Sequence, residues 1–173
     1  MSLINGLPAH VLLVHFVVVL VPLTALALVV CAVRPRAAQR LGVVLPLLAL
    51  VTLALVPLTT NAGEWLERHV DSNTLVRRHA ELGDGLLPWA GGLFVLAALV
   101  WWTARRATAS GSGTPGSARG SGTAVRVAAA VLSVLVAGGA VVDVYRIGDS
   151  GAKAAWHDAF SKTSSGGGDG DEG

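Results

Sequence analysis

Histidines and carboxylates near the ends of long apolar stretches are the residues of this chain best suited to chemistry. Neutral imidazole is a common axial ligand of haem iron, and a mixture of nitrogen and oxygen ligands suits zinc or iron. As haem ligands, the candidates are His10, His79 and His15. For a divalent metal, the alternative to haem, they are His10, His79, Glu64 and Asp149. Structural polar roles are expected for Asp143 and Asn61.

Short motifs that carry a known catalytic mechanism do not occur in the sequence. It has no nucleophile elbow, no Walker loop, and no HExxH or CxxC pattern. Cys31 is the single cysteine, which excludes an internal disulfide framework. The formal charge of +2 does not indicate binding to nucleic acid. We therefore expect a binding or electron-transfer protein rather than an enzyme.

The composition of the chain indicates which secondary-structure elements carry these side chains. Of the 173 residues, 53% are hydrophobic and only 14% are charged, whereas a soluble domain has about 25% charged residues. Four apolar segments are each close to the length of about 20 residues that a helix needs to cross a bilayer. Their helices are predicted at about 7–33, 41–60, 74–104 and 124–147.

The predicted fold class is all-α: an integral membrane four-helix bundle with a short interfacial C-terminal helix and a disordered tail. The transmembrane domain is expected to span residues 1–160, with a flexible Gly/Ser-rich linker at 105–123 and the tail at 161–173. On the fourth helix, Ala129, Ser133 and Ala137 form a face of small residues. Such faces allow helices to approach closely in lipid.

Arginine placement predicts the orientation of the bundle. The segments 34–40 and 105–126 must lie on one side of the membrane, and they contain seven arginines and no acidic residue. Bases in short loops favour the cytoplasmic side. Both termini are then extracytoplasmic, and all five histidines lie at that outer side.

Counting about 1.5 Å per residue from the inner ends of the helices estimates the depth of each histidine. His10 lies ~36 Å and His15 lies ~28 Å from the inner end of the first helix, and His79 lies ~39 Å from the inner end of the third helix. The His10–His79 pair therefore fits one shared cofactor better than His15–His79, unless the third helix is broken near Gly83 or Gly85. His15 is then expected to pair with Asp143.

Several short motifs resemble a bacterial group of predicted membrane proteins, domain-of-unknown-function family 2231. The motifs are Leu7-Pro8-Ala9-His10 continuing to His15-Phe16, Ala62-Gly63-Glu64, His79-Ala80-Glu81-Leu82-Gly83, and Arg146-Ile147-Gly148-Asp149-Ser150-Gly151-Ala152. The resemblance implies four membrane helices in a bacterial cell membrane and no settled activity. The family often has a histidine near the last motif, where this chain has Asp149.

Three hypotheses follow for the function, of which a small transporter or proton-relay element has the least support because four helices offer no obvious ion path. In the first, the chain is a membrane electron-transfer protein that holds b-type haem between histidines of two helices. In the second, it is a non-catalytic membrane protein whose outer polar cluster binds a partner or a structural metal. The expected surroundings are the lipid bilayer, with either a second copy of the chain or a membrane redox partner beside it.

Overall fold

The computed structural model describes residues 3–4, 7–68, 74–109 and 119–164. A two-residue antiparallel ladder pairs β1 (Leu3–Ile4) with β2 (Leu7–Pro8). The helices are α1 (Ala9–Val33), α2 (Pro35–Leu41), α3 (Val44–Glu67), α4 (Thr74–Asp84), α5 (Leu86–Ala109) and α6 (Arg119–Ser164). The predicted all-α four-helix bundle is confirmed by α1, α3, α5 and α6.

Each of the four long helices packs against two neighbours. The helix α1 lies between α3 and α6, and α5 lies between the same two helices on the opposite side. The short helix α2 crosses one end of the bundle, against α1 and α5, while α4 packs on α6 at the other end. We name these the arginine end, after Arg34, Arg40 and Arg105, and the histidine end, after His10 and His79.

Four helical segments are long and apolar enough to cross a membrane: Ala9–Val33, Val44–Glu67, Thr74–Thr108 and Thr123–Trp156. Large apolar side chains on their outer surface are exposed, among them Val19, Leu26 and Leu135 at 63% each. A water-soluble bundle would place polar residues at such positions. The chain is therefore a multi-pass membrane protein whose outer surface suits a lipid environment.

The core is a narrow seam with a regular repeat. Most of its buried positions follow spacings of three and four residues along each long helix, which is typical of nearly parallel bundle packing. The positions with this spacing are Val21, Thr24, Leu28 and Cys31 on α1, Leu45, Ala49, Thr52, Val56 and Thr59 on α3, Leu86, Ala90, Leu93, Ala97 and Val100 on α5, and Ser133, Ala137, Ala140 and Val144 on α6; Val17, Ala25 and Leu96 are buried beside them. The small-residue face predicted on the fourth helix is thus buried at Ser133 and Ala137.

One buried hydrogen bond joins α1 and α3 within this seam. The Thr52 hydroxyl donates to the Leu48 carbonyl at 2.9 Å, so the Thr24 hydroxyl is the donor in the 2.9 Å bond between the two threonines. Both side chains are at most 1% exposed. Hydrogen bonds of this kind add to helix association in lipid, at about 0.6 kcal/mol on average.

The third predicted helix is divided in the structure, with α4 ending at Asp84 and α5 beginning at Leu86. Pro88 has no N–H to donate to the carbonyl of Asp84, which removes the hydrogen bond that would continue the helix through Gly85. Gly85 instead donates its N–H to the Leu82 carbonyl at 3.2 Å. Beyond this break, α4 packs mainly against α6.

Three predicted boundaries also differ. The short C-terminal helix is the last part of α6, which runs unbroken from Arg119 to Ser164 because no proline interrupts it. The helices α5 and α6 extend into both ends of the expected 105–123 linker, as far as Ala109 and from Arg119. Residues 161–164 of the expected tail are helical, and 110–118 and 165–173 lie outside the described residues.

Candidate functional site

His10 lies in the first turn of α1 at the histidine end, where its half-buried ring reaches α3. Its Nδ1 lies 3.0 Å from the backbone carbonyl oxygen of Thr59. A carbonyl oxygen only accepts hydrogen bonds, so Nδ1 of His10 carries the proton. The ring lies against Gly63, where an added β-carbon would be 3.0 Å from His10 Cε1.

His79 lies on α4, and its half-buried ring reaches α6. Its Nδ1 lies 3.1 Å from the Ile147 carbonyl oxygen and 3.0 Å from Ser150 Oγ. Since the Ser150 hydroxyl donates to that same carbonyl at 2.8 Å, Nδ1 of His79 donates to both oxygens. The ring lies against Gly151, where an added β-carbon would be 3.0 Å from its Cε1.

The two histidines have matching surroundings. In each case a neighbouring helix offers a carbonyl oxygen, from Thr59 or Ile147, and a glycine four residues further on, Gly63 or Gly151. The residue four positions after a carbonyl lies one turn above it on the same helix face. A glycine there leaves room for the ring to reach an oxygen that already takes part in the helical ladder.

The two imidazole rings meet each other between the helices. Their centroids are 6.3 Å apart, and their planes make an angle of 84°. With Nδ1 protonated in both, each Nε2 carries a lone pair. Within the described part of the chain, neither Nε2 has a hydrogen-bond partner. The arrangement therefore holds both rings through Nδ1 and, in their neutral form, leaves Nε2 of each as the ligand nitrogen.

His15 does not belong to this pair. Its Nδ1 lies 2.6 Å from the carbonyl oxygen of Val11, one turn earlier on the same helix, and its side chain is exposed. The expected pairing of His15 with Asp143 is not found among the residues described. His69 and the side chain of His157 lie outside the described part of the chain.

The acidic members of the alternative metal site are not gathered around the two rings. Asp149 forms an ion pair with Lys153 at 2.6 Å, one turn along α6, and Glu64 is exposed on α3. Across the described ranges, no group of three or more histidine, cysteine or acidic side chains is placed to hold a metal ion. The four-ligand set is therefore not assembled.

The two polar residues assigned structural roles have different surroundings. Asn61 is exposed and donates to the Pro57 carbonyl at 2.7 Å, one turn back on α3. Asp143 faces the break between α4 and α5, where an added β-carbon on Gly85 would lie 3.8 Å from Asp143 Oδ2. That oxygen is buried and has no hydrogen-bond partner among the described residues.

Sequence reasoning missed the groups that hold the rings. The carbonyl oxygens of Thr59 and Ile147 carry no signal in the sequence, because every residue has a carbonyl group. The glycines do carry one: Gly63 and Gly151 both lie in the short motifs on which the family resemblance is based. A glycine inside an apolar helix often marks a close approach by another group.

Comparison with known proteins agrees with this architecture. Searches among curated proteins and among solved structures found no match. One family does match, over residues 6–164, which include both histidines and the whole helical bundle. The chain therefore belongs to the family described as "Predicted membrane protein (DUF2231)".

Proposed function

We propose that His10 and His79 are the two axial ligands of a b-type haem, and that the protein carries electrons in the membrane. The observation that carries this proposal is the meeting of the two rings at 6.3 Å, each with its Nδ1–H held by a backbone carbonyl. A ligating histidine almost always donates its other N–H in this way, which fixes the ring and makes the ligand nitrogen more basic.

The distance between the ring centroids is close to that of two imidazoles that share one metal ion. Two nitrogens that bind an ion from opposite sides lie about 4 Å apart, because each metal–nitrogen bond is about 2 Å long. The centre of an imidazole lies about 1 Å behind its ligating nitrogen, so the centroids of two such rings are about 6 Å apart. The value for His10 and His79 is 6.3 Å.

Haem is favoured over a bare metal ion by the number of ligands. A structural zinc site takes four ligands from the protein and a catalytic one takes three. Haem iron has four nitrogens from the porphyrin and needs only two axial ligands, which is the number of imidazoles that meet at the histidine end. Bundle cores built from facing helices are common places for such cofactors.

In this function the two histidines and the two carbonyl groups that hold them would each have a defined role. His10 and His79 would bind the iron and hold it at the histidine end, between α1 and α4. The carbonyls of Thr59 and Ile147 would keep both rings in the tautomer with a free Nε2. The bound haem would supply reversible one-electron chemistry, and its potential would depend on these ligands and on burial.

A second function is favoured by the same hydrogen bonds. His10 ties α1 to α3, and His79 ties α4 to α6, so the pair also locks the histidine end of the bundle. In this alternative the protein is non-catalytic, and its histidine end binds a partner protein. The two functions differ in what the purified protein contains.

The test is the haem content of the full-length protein, expressed with a supply of haem and purified in mild detergent. We expect haem in the parent, at least tenfold less in His10→Ala and in His79→Ala, and an unchanged amount in His15→Ala, the matched control. A parent that purifies without haem, with reduced thermal stability in both ligand variants, would instead support the structural lock. Loss of haem from His15→Ala alone would overturn the choice of ligands.

A further inference from the structure

A second feature, at the arginine end, is independent of the histidine pair. The outer surface of α5 has an apolar groove, which lies over Ala98 between Phe94 and the rings of Trp101 and Trp102. Beside it is a smaller notch, lined by Ala38, Gln39 and Gly42 from the α2 segment and by Trp101, Ala104, Arg105 and Thr108 of α5. Trp101 and Arg105 line both, so the groove and the notch adjoin each other at these two side chains.

The side chains of two arginines are turned back toward the groove. Helical side chains lean toward the N-terminus of their helix, which for α5 is the direction of the apolar core. Arg105 accordingly lies over the Trp101 ring at 5.6 Å, and Arg106 lies over Trp102 at 4.2 Å. Stacking on an aromatic face leaves the N–H edge of a guanidinium free to bind an oxyanion with two hydrogen bonds.

The charged side chains at the arginine end are all positive. The sequence has no acidic residue in 1–63 or in 85–142, and the arginines there whose side chains the structure describes are Arg34, Arg36, Arg40, Arg105, Arg106 and Arg126. None of them forms an ion pair with another residue of the described structure. An uncompensated basic cluster beside an apolar, tryptophan-lined groove complements a molecule with an anionic head and an acyl chain.

We infer that the groove and the notch together bind one anionic phospholipid. Its acyl chain lies along Ala98 between Phe94 and Trp102, and its phosphate is held by Arg105 beside Gln39 and Thr108. The small side chain of Ala98 provides the depth for the chain. The phosphate level coincides with the tryptophan rings, where interfacial aromatic residues lie in membrane proteins.

The experiment uses the full-length protein in detergent, with bound lipids counted by native mass spectrometry. The probes are phosphatidylglycerol, which is anionic, and phosphatidylcholine with the same acyl chains. We expect the protein to retain one phosphatidylglycerol in preference to phosphatidylcholine. Arg105→Gln should weaken that binding about fivefold, as expected for one arginine at an anionic surface. Arg126→Gln, an exposed arginine of α6 at the same end, is the matched control and should bind as the parent does.

Filling the groove gives an independent measurement. Ala98→Leu should reduce retention of phosphatidylglycerol, whereas Ala128→Leu, at an exposed alanine of α6, should not. Equal retention of the two lipids by the parent would overturn the inference. An equal loss of lipid binding in Arg105→Gln and Arg126→Gln would also overturn it, because that result would indicate a general effect of charge. Lipid binding by Ala98→Leu at the parent's level would overturn it as well. Haem content plays no part in any of these outcomes.

Discussion

The rings of His10 and His79 have centroids 6.3 Å apart and planes at 84°, although they lie on different helices and each is held by one further helix. His10 is fixed by a carbonyl of α3, and His79 by a carbonyl of α6. The distance between the rings therefore depends on how α1, α3, α4 and α6 are placed relative to one another. The glycines against which the rings lie are the most direct way to disturb it.

The first prediction concerns Gly151. A β-carbon there would be 3.0 Å from Cε1 of His79, which is tighter than ordinary van der Waals contact, so the ring must move. We expect Gly151→Ala to weaken haem binding about 10–100-fold, as changes around a metal-binding histidine commonly do. Haem titration of the cofactor-free protein measures this. Gly148→Ala, one turn earlier on α6 with no atom within 4 Å of an added β-carbon, is the control. Equal affinity in the two variants would contradict the prediction.

The second prediction concerns the contact between α5 and α6. A β-carbon on Gly139 would overlap the ring of Trp89, whereas one on Gly138 would meet no atom within 4 Å. Gly139→Ala should therefore lower the free energy of unfolding by about 1–3 kcal/mol, the usual cost of overpacking. Thermal unfolding in detergent measures the loss. Gly138→Ala should unfold like the parent, and Trp89→Leu should relieve the Gly139→Ala defect. Identical unfolding of the two alanine variants would show that Trp89 does not pack there.

The third prediction concerns the buried threonine pair. Thr24→Val leaves the Thr52 hydroxyl with its bond to Leu48, whereas Thr52→Val leaves the Thr24 hydroxyl buried without its partner. We therefore expect Thr52→Val to be the more destabilising, by about 1 kcal/mol, because an unsatisfied buried hydroxyl is costly. The double variant should be less destabilised than the sum of the two, with a coupling of about 0.6–1.7 kcal/mol. Strict additivity of the unfolding free energies would refute the bond.

The fourth prediction is the orientation in the membrane. Uncompensated arginines favour a cytoplasmic arginine end, which makes the histidine end extracytoplasmic. In a Cys31→Ser background, Lys153→Cys should react with an impermeant maleimide in intact cells, and Thr108→Cys should react only after permeabilisation. Both replaced side chains are exposed. The opposite labelling pattern would reverse the orientation.

Much of the fold could be predicted because lipid imposes simple rules on sequence. Length and hydropathy located the four spans, and small residues marked the buried face of α6 at Ser133 and Ala137. The break at Gly85 was harder to locate, since hydropathy continues across it. The effect of Pro88 depends on one missing hydrogen bond. Likewise, nothing in the apolar pattern distinguishes a separate C-terminal helix from the continuous α6.

The depth of the candidate site residues along their helices could be predicted from the sequence. The direction in which each side chain faces around its helix axis could not. Counting residues put His10 and His79 at similar levels, yet depth alone does not say which face of a helix a side chain occupies. The rotation of α1 decides that His10 faces Thr59 while His15 bonds within its own helix. In the same way, the rotation of α3 leaves Glu64 exposed, and the rotation of α6 places Asp149 beside Lys153 and away from the two rings.

The low-temperature EPR spectrum of the oxidised protein tests the central claim most directly. Two axial imidazoles with nearly perpendicular planes give ferric haem a strongly anisotropic low-spin signal, and the planes of His10 and His79 make an angle of 84°. We expect this signal in the parent and in His15→Ala, and its loss in His10→Ala and His79→Ala. A high-spin signal in the parent, or no haem signal after expression with ample haem, would contradict the assignment of these two histidines as a ligand pair.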